Sequence, residues 1–266
     1  MPDVAGAKTF QTPAEAYDRF IGRYGAALAR ELIAAARVRR GARALDVGCG
    51  PGALTTQLVA ALGEDGVAAV DPSVPFAEAC RRRLPTVRVE VAAAEALPFA
   101  DAAFDHALAQ LVLNFMEDPS AGVAEMRRVT RPGGTVAAAV WDYADGMTLL
   151  RRFWDAAVEE DPAAADRDEG RSMPYCTPDE LGALWASTCG LGDVCVSPVT
   201  VSADYDDFDD LWRPLERGVG PSGAYAAALP APRRGVLRDA LRRRLGVGSQ
   251  PFRLSARAWI VTGRAE

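Results

Sequence analysis

Between residues 44 and 62 the chain reads ALDVGCGPGALTTQLVAAL, a short apolar run followed by three glycines in five positions and then a helix-forming stretch. Glycine reaches positive φ without strain and lets a ligand approach the backbone closely. Gly48, Gly50 and Gly52 therefore predict a tight turn leading from a strand at 44–47 into a helix over 54–62. A turn of this kind at a helix N-terminus is a common nucleotide site of open α/β sheets, because amide N–H groups and the positive end of the helix dipole converge there. A Gly-x-Gly pair also fits a plain tight turn, so the rest of the chain has to decide.

The following residues repeat the unit. Strands are expected at 67–70, ending at Asp71, and at 87–91, 104–110 and 135–141; helices at 76–83 and 121–129; and a turn at Arg131-Pro132-Gly133-Gly134 before the fifth strand. Strands alternating with helices imply a parallel sheet covered on both faces. Upstream, Thr12-Pro13-Ala14-Glu15 reads as a capping box with proline at the first helical position, opening a helix that runs to about Ala36 with Tyr17, Phe20 and Tyr24 on one stripe. After Trp141 the pattern changes. Helices are expected at 147–159, 208–217 and 233–245, a second capping box opens a helix at Thr177-Pro178-Asp179-Glu180, and strands at 194–201 and 252–261 stand far apart. That ending predicts an antiparallel finish to the sheet. The expected organisation is one domain of 266 residues, with a cap helix over 12–36, a core over 40–141, and lid insertions with closing strands over 142–266.

Composition narrows the function. A net charge of −6 repels phosphate backbones, so nucleic acid is not an expected partner. No run approaches the ~20 apolar residues of a membrane span. The opening MPDVAGAKTFQTP has no secretory apolar core, so no membrane association and a cytoplasmic location are expected. Five scattered cysteines with no CxxC pair argue against a zinc site or a disulfide framework, and no metal is expected. The single histidine, His106, excludes mechanisms that need two. It falls near the start of the fourth strand, remote from the glycine turn, which predicts a structural role rather than a general base. Nothing in the composition sets an oligomeric state.

Two ligands compete for the turn. Gly48, Gly50 and Ala53 satisfy G-x-G-x-x-G/A with Asp71 about twenty residues on, the dinucleotide pattern. Asp46, two residues before Gly48, opposes that reading. A carboxylate there repels a pyrophosphate but suits S-adenosylmethionine, which carries a sulfonium and an ammonium. Lys8 is the only lysine, so lysine-dependent nicotinamide chemistry has no other candidate. The wider sequence resembles class I S-adenosylmethionine-dependent methyltransferases. ALDVGCGPGALT resembles their first motif, AVDPS the acidic motif ending the second strand, AEALPFADAAFDHALAQLVLNF the segment from the adenine loop through the fourth strand, and VTRPGG the turn before the fifth. The four stretches occur in order over roughly residues 40–141, and AYDRFIGRYG is similar to the cap helix of the ubiquinone/menaquinone-type methyltransferases. There is one departure. Members often carry G-D-A-E before L-P-F, and here Ala92-Ala93-Ala94-Glu95 puts Ala93 where an aspartate would receive the adenine amino group. Losing that bond costs ~1 kcal/mol, and the Ala94 backbone or the Glu95 side chain is left to read the adenine edge.

The resemblance implies a fold and a set of roles. The fold is α/β, a doubly wound, mostly parallel seven-stranded sheet of Rossmann-like type with an N-terminal cap helix and helical lid insertions. The cofactor is S-adenosyl-L-methionine, and the partner is a small-molecule methyl acceptor. Asp46, Gly48, Cys49 and Gly50 would line the methionine side, and the Gln110 main-chain carbonyl would receive the ammonium. Tyr17 would reach the methionine carboxylate or simply pack its helix. Asp71, with Pro72 beside it, would take the ribose hydroxyls, and Ala94 and Glu95 the adenine. Leu111, Asn114 and Trp141 at the strand ends, with Phe153 and Trp154 from the lid, are the acceptor-site candidates. So many aromatics suggest an apolar or aromatic acceptor, with core packing as the alternative for each. Asp142 and Tyr143 are placed to orient or deprotonate an acceptor hydroxyl. Two other functions stay open: an NAD(P)-dependent oxidoreductase, and an S-adenosylmethionine binder that does not methylate. The stretch DPAAADRDEGR has few apolar anchors, so residues 143–176 are expected to form a mobile lid.

Overall fold

Strands covered by helices on both faces are apolar at nearly every position. β1 (Ala44–Val47) and β2 (Val67–Val70) are buried throughout. The computed structural model describes residues 19–266, so the expected helix start at Thr12 and the candidate Tyr17 lie outside the described residues. The further strands are β3 (Arg88–Glu90), β4 (Phe104–Gln110), β5 (Thr130–Trp141), β6 (Leu191–Tyr205) and β7 (Phe252–Ala265). Together they form a seven-stranded sheet in the order β3-β2-β1-β4-β5-β7-β6. The first five run parallel, and β7 is antiparallel to both β5 and β6. This is the doubly wound architecture with an antiparallel finish that the alternating pattern predicts. The strand order reverses between β1 and β4, which is where such sheets open a crevice at their carboxyl ends.

The helices of the core are α1 (Gly25–Ala35), α2 (Ala53–Leu62), α3 (Val74–Arg83) and α4 (Pro119–Val129). The single continuous helix expected up to Ala36 is interrupted: a 3-10 turn at Gly22–Tyr24 precedes α1. The turn expected at Arg131-Pro132-Gly133-Gly134 is instead part of β5. From Phe104 to His106 β4 advances two residues while β5 advances five, from Thr130 to Thr135, so the segment bulges within the ladder. Gly133 (φ +78°) absorbs the bend, and a Cβ at Gly134 would collide with the Asp105 carbonyl.

Beyond β5 come α5 (Thr148–Glu160), α6 (Pro178–Ser187), α7 (Phe208–Glu216), α8 (Gly220–Ala228) and α9 (Ala231–Leu245). Helix α8, with two glycines and a proline in nine residues, carries no amphipathic signal and is absent from the expected pattern. The polar stretch after α5 has an anchor that counting apolar residues misses. Arg151 of α5 grips Asp168 with both terminal nitrogens (3.1 and 2.6 Å) and Asp155 with Nε (3.0 Å). Next to it the Trp154 indole donates to Glu169 at 3.0 Å, and Asp168 and Glu169 are both buried. Replacing Arg151 with Met leaves the buried Asp168 carboxylate without its hydrogen-bonded cation, with only the exposed Arg171 at 3.8 Å. The variant should lose about 3 kcal/mol of stability. Amide exchange should accelerate over residues 161–173 while β1, β2 and β5 stay protected. Unchanged exchange over that stretch would show that the ion pair does not hold it.

Candidate functional site

The loop after β1 is clipped to β2 through its backbone: Gly48 N and Cys49 N donate to the Val70 carbonyl at 2.8 and 2.9 Å. That path requires left-handed residues. Gly48 (φ +72°) has no room for a Cβ, which would strike the Val112 side chain, and a Cβ on Gly52 (φ +96°), the N-cap of α2, would come within 3.0 Å of Cys80 Sγ. Gly50 (φ +53°) differs, since a Cβ there would meet nothing within 4 Å among the described residues. It faces a cleft of about 1070 Å³ at the carboxyl ends of β1, β2 and β4.

The cleft walls carry unmet hydrogen-bond acceptors. Asp46 is fully buried; its Oδ2 accepts from the Thr55 hydroxyl at 2.6 Å, and its Oδ1 has no partner among the described residues. Burial pushes its carboxyl up to about 8, against the Thr55 hydrogen bond, which pulls it down. On the neighbouring strand β4, Gln110 donates to the Gly25 carbonyl at 3.2 Å, and its Oε1 is likewise buried and without a partner among the described residues. Two buried acceptor atoms on one wall are complementary to a cationic donor such as an ammonium. Asp71, at the end of β2, accepts from Gly50 N and Ser73 N, both at 2.8 Å. Burial raises its carboxyl to about 6, and these two bonds oppose the rise. An ionised carboxylate has about four lone-pair directions, so each oxygen keeps capacity to receive a hydroxyl. The residues present therefore fit a ligand with an ammonium at one end and vicinal hydroxyls further along.

Cys49, Pro72, Ala93, Ala94, Glu95 and Leu111 line the same cleft. Glu95 is already engaged, its Oε1 accepting from Glu117 N (2.9 Å) and Asp118 N (3.1 Å), which ties the 93–95 loop to the start of α4. A second, smaller cavity lies beyond β4 and β5 and shares Ile21, Leu111 and Phe115 with the cleft. Trp141 and Tyr143 line it, together with Phe20, Leu150, Glu169 and residues 219–222. The other acceptor candidates line neither cavity. Asn114 donates to the Pro174 carbonyl and, at 3.2 Å, to Cys176 Sγ. Phe153 and Trp154 are core, stacked edge to face at 5.2 Å. Asp142 is locked to Arg257, with Oδ2 2.5 Å from Nη2, and so is not free to act as a base. His106 pairs with Ala44 and Thr135 at the opposite end of β4 from Gln110, and burial pushes its imidazole pKa down. Glu169 and Ser222, both buried at the second cavity, have no signal in the sequence. Each sits in a segment whose composition reads as solvated loop or weak helix. Among the described residues, no group of three or more His, Cys, Asp or Glu side chains is placed to hold a metal ion, and no helix is long and apolar enough to cross a membrane.

Residues 45–138 match the family profile described as a methyltransferase domain. The chain is 31% identical over 225 residues to the malonyl-[acyl-carrier protein] O-methyltransferase of Pseudescherichia vulneris, covering 84% of this chain and 81% of that protein. It is also 31% identical over 163 residues to the demethylmenaquinone methyltransferase of Renibacterium salmoninarum, covering 58% of this chain and 68% of that one. A further match, 38% identical over 122 residues, is to an uncharacterized 37.1 kDa protein of a Streptomyces fradiae transposon, of whose length the chain spans only 35%. Among solved structures, a candidate type II methyltransferase from Anaeromyxobacter dehalogenans superposes with a TM-score of 0.63 at 25% identity, over 91% of this chain and 96% of that one.

The two outer glycines and the middle one should respond differently to alanine. Gly48→Ala must displace Val112 and also hold a left-handed alanine, so it should lower the melting temperature by several degrees. Gly50→Ala carries only the left-handed cost, ~1 kcal/mol, but puts a methyl group into the cleft. Thermal melts of the two variants separate these effects, and a Gly50→Ala protein less stable than Gly48→Ala would contradict the geometry.

Proposed function

The chain belongs to the class I S-adenosylmethionine-dependent methyltransferases, and from that premise we propose that it methylates a small, largely apolar or aromatic acceptor held in the second cavity. The observation that carries this reading is the pairing of a polar cleft, built around Asp46, Gln110 and Asp71, with an adjoining cavity walled by Phe20, Phe115, Trp141 and Tyr143. When bound, S-adenosylmethionine supplies an electrophilic methyl carbon on a sulfonium. Asp46 Oδ1 and Gln110 Oε1 are the acceptors suited to its ammonium, Asp71 to its ribose hydroxyls, and the 93–95 loop to its adenine. Ile21, Leu111 and Phe115, common to both cavities, are suited to align the acceptor and exclude water. The names of the relatives point to different acceptors, a carrier-protein-linked malonyl group and a demethylated menaquinone. The acceptor class is therefore argued from the cavity's aromatic walls, which favour a flat, largely apolar molecule. A nicotinamide dinucleotide is disfavoured, because its pyrophosphate would meet Asp46, with no cation among the described residues that line the cleft. Turnover to S-adenosylhomocysteine with an acceptor present distinguishes an enzyme from a silent binder.

Calorimetry should show binding of S-adenosylmethionine and S-adenosylhomocysteine and no binding of NAD; the reverse would sink the reading. Asp71→Ala removes a charged partner for two hydroxyls, worth ~1.5–3 kcal/mol, so affinity should fall ~10–100-fold. A fall below about threefold with the fold intact would show that Asp71 does not hold the ribose.

The raised carboxyl of Asp46 adds a pH dependence. With its value near 8, Asp46 is largely protonated in the free protein at neutral pH, and a bound cation favours the ionised form. Binding should therefore release a proton, and affinity should rise with pH through about 8 and then level off. The free fold has the opposite trend. The stability contributed by neutral Asp46 is fully present below the ordinary value of 3.8 and is lost as pH rises through about 8. Calorimetry in two buffers of different ionisation enthalpy measures the proton count. Equal heats in both buffers at pH 7 would rule out the coupling.

A further inference from the structure

Three polar side chains converge on the second cavity. Glu169 is buried on its wall, presented by the turn that Arg151 and Asp168 hold in place. Its Oε2 accepts from the Trp154 indole at 3.0 Å. That bond orients the carboxylate without exhausting its lone pairs. Ser222 Oγ and Trp141 Nε1 belong to the same wall, and both are buried with no partner among the described residues. Satisfying Trp154 accounts for where Glu169 sits. It does not account for a buried hydroxyl and a buried indole N–H left unmet around the same space.

Resting on the methyl-transfer reading, we propose that Glu169 takes the proton of a hydroxyl group on the acceptor while Ser222 and Trp141 donate hydrogen bonds to that oxygen, so that the cavity selects phenolic or enolic acceptors. A hydroxyl is the small group that both gives a proton to a carboxylate and accepts from two donors. A protonated amine would pair with Glu169 but offers no lone pair to Ser222 or Trp141. The aromatic walls suit the flat ring that carries such a hydroxyl. In the step, the acceptor O–H bond breaks and its proton goes to the Glu169 carboxylate. The oxygen lone pair forms the bond to the methyl carbon, and the electrons of the broken carbon–sulfur bond stay on sulfur, which becomes a neutral thioether. Glu169 then returns its proton to solvent, so one proton is released per methyl ether formed.

The setting of Glu169 matches that task. Burial pushes its carboxyl up to about 7, the Trp154 N–H opposes this, the neighbouring Asp168 adds to the rise, and Arg151 counters it. Cys176 also feels Glu169, but its own thiol is driven up to about 12 by burial and stays neutral. Tyr143 lines the same cavity. A base that titrates near the working pH is well matched to proton transfer.

The test uses the full chain loaded with S-adenosylhomocysteine for binding and with S-adenosylmethionine for turnover. The probes are 2-naphthol, 2-naphthylamine and naphthalene. 2-Naphthol should bind about tenfold more tightly than naphthalene, and Ser222→Ala should erase most of that advantage. Glu169→Gln keeps an acceptor for Trp154. It should leave S-adenosylhomocysteine affinity within about threefold, lower methylation of 2-naphthol by about 100-fold, and abolish the rise of turnover through pH about 7. Equal affinity for 2-naphthol and naphthalene, methylation of the amine in preference to the naphthol, or an unchanged rate and pH profile in Glu169→Gln would overturn the proposal while leaving methyl transfer standing. Failure of the wild-type protein to bind S-adenosylhomocysteine would instead overturn the methyl-transfer reading. Should Glu169→Gln not fold, the naphthol-to-naphthalene ratio in Ser222→Ala decides alone.

Discussion

The ligand end of the sheet depends on one carboxylate that ties three segments together. Asp71 stands where β2 ends, accepts from Gly50 in the loop after β1, and accepts from Ser73 just ahead of α3. The loop has few side chains with which to hold itself, because three of its five positions take positive φ and are glycine. Its shape must therefore come from backbone hydrogen bonds, to the Val70 carbonyl on one side and to Asp71 on the other. A carboxylate is the group able to accept both amides and still have lone pairs for a ligand. The two oxygens that hold the loop are also the ones open to a ligand, so a change at Asp71 is read as binding only where a thermal melt shows the fold intact.

Burial has a second consequence at these sites. Asp46, Asp71 and Glu169 are all shifted upward chiefly by desolvation, to about 8, 6 and 7. Removing a carboxylate from water is costly unless a cation or donors compensate. In the body of the protein that compensation is supplied internally: Asp168 has Arg151, and Asp142 has Arg257. At the two cavities it is left incomplete, with Asp46 Oδ1, Gln110 Oε1, Ser222 Oγ and Trp141 Nε1 all unmet among the described residues. The contrast separates carboxylates that stabilise the fold from those held ready for something that enters from outside.

The sheet was legible in the sequence because its signals are local. Four-residue apolar strands, the glycine turn and the strand-ending Asp71 are read within a few positions of one another. Elements whose form depends on distant partners were not legible. Arg131–Gly134 reads as a turn by composition, yet it is absorbed as a bulge in β5 because the ladder with β4 resumes at Thr135. Helix α8 is weak by its own residues. Of the site residues, the cleft set could be assigned in order along the chain, and those within the described residues line one cleft. The second cavity was half legible. Trp141, Tyr143 and Leu111 reach the second cavity because they leave strand ends, whereas Asn114, Phe153 and Trp154 are turned to other partners. No local pattern separates an aromatic residue that lines a cavity from one that fills the core.

That division bears on which part of the chain has a carboxylate free of the sheet's own bonds. Side chains at the carboxyl ends of β1, β2 and β4 are committed to shaping the cleft, and the first free position after β5, Asp142, is neutralised by Arg257 reaching across from β7. An antiparallel β7 beside β5 brings that arginine close: Trp141 pairs with Ala258, so the neighbouring Arg257 falls level with Asp142. The same topology that closes the sheet thereby removes its nearest candidate base. The lid is under no such constraint. The turn at 168–170 is fixed from α5 by Arg151 and Trp154. A carboxylate carried there can be buried, oriented and aimed at the acceptor without competing for the bonds that hold the glycine loop. Acceptor chemistry can then change through the segments after Trp141 while the cofactor end of the sheet stays as it is.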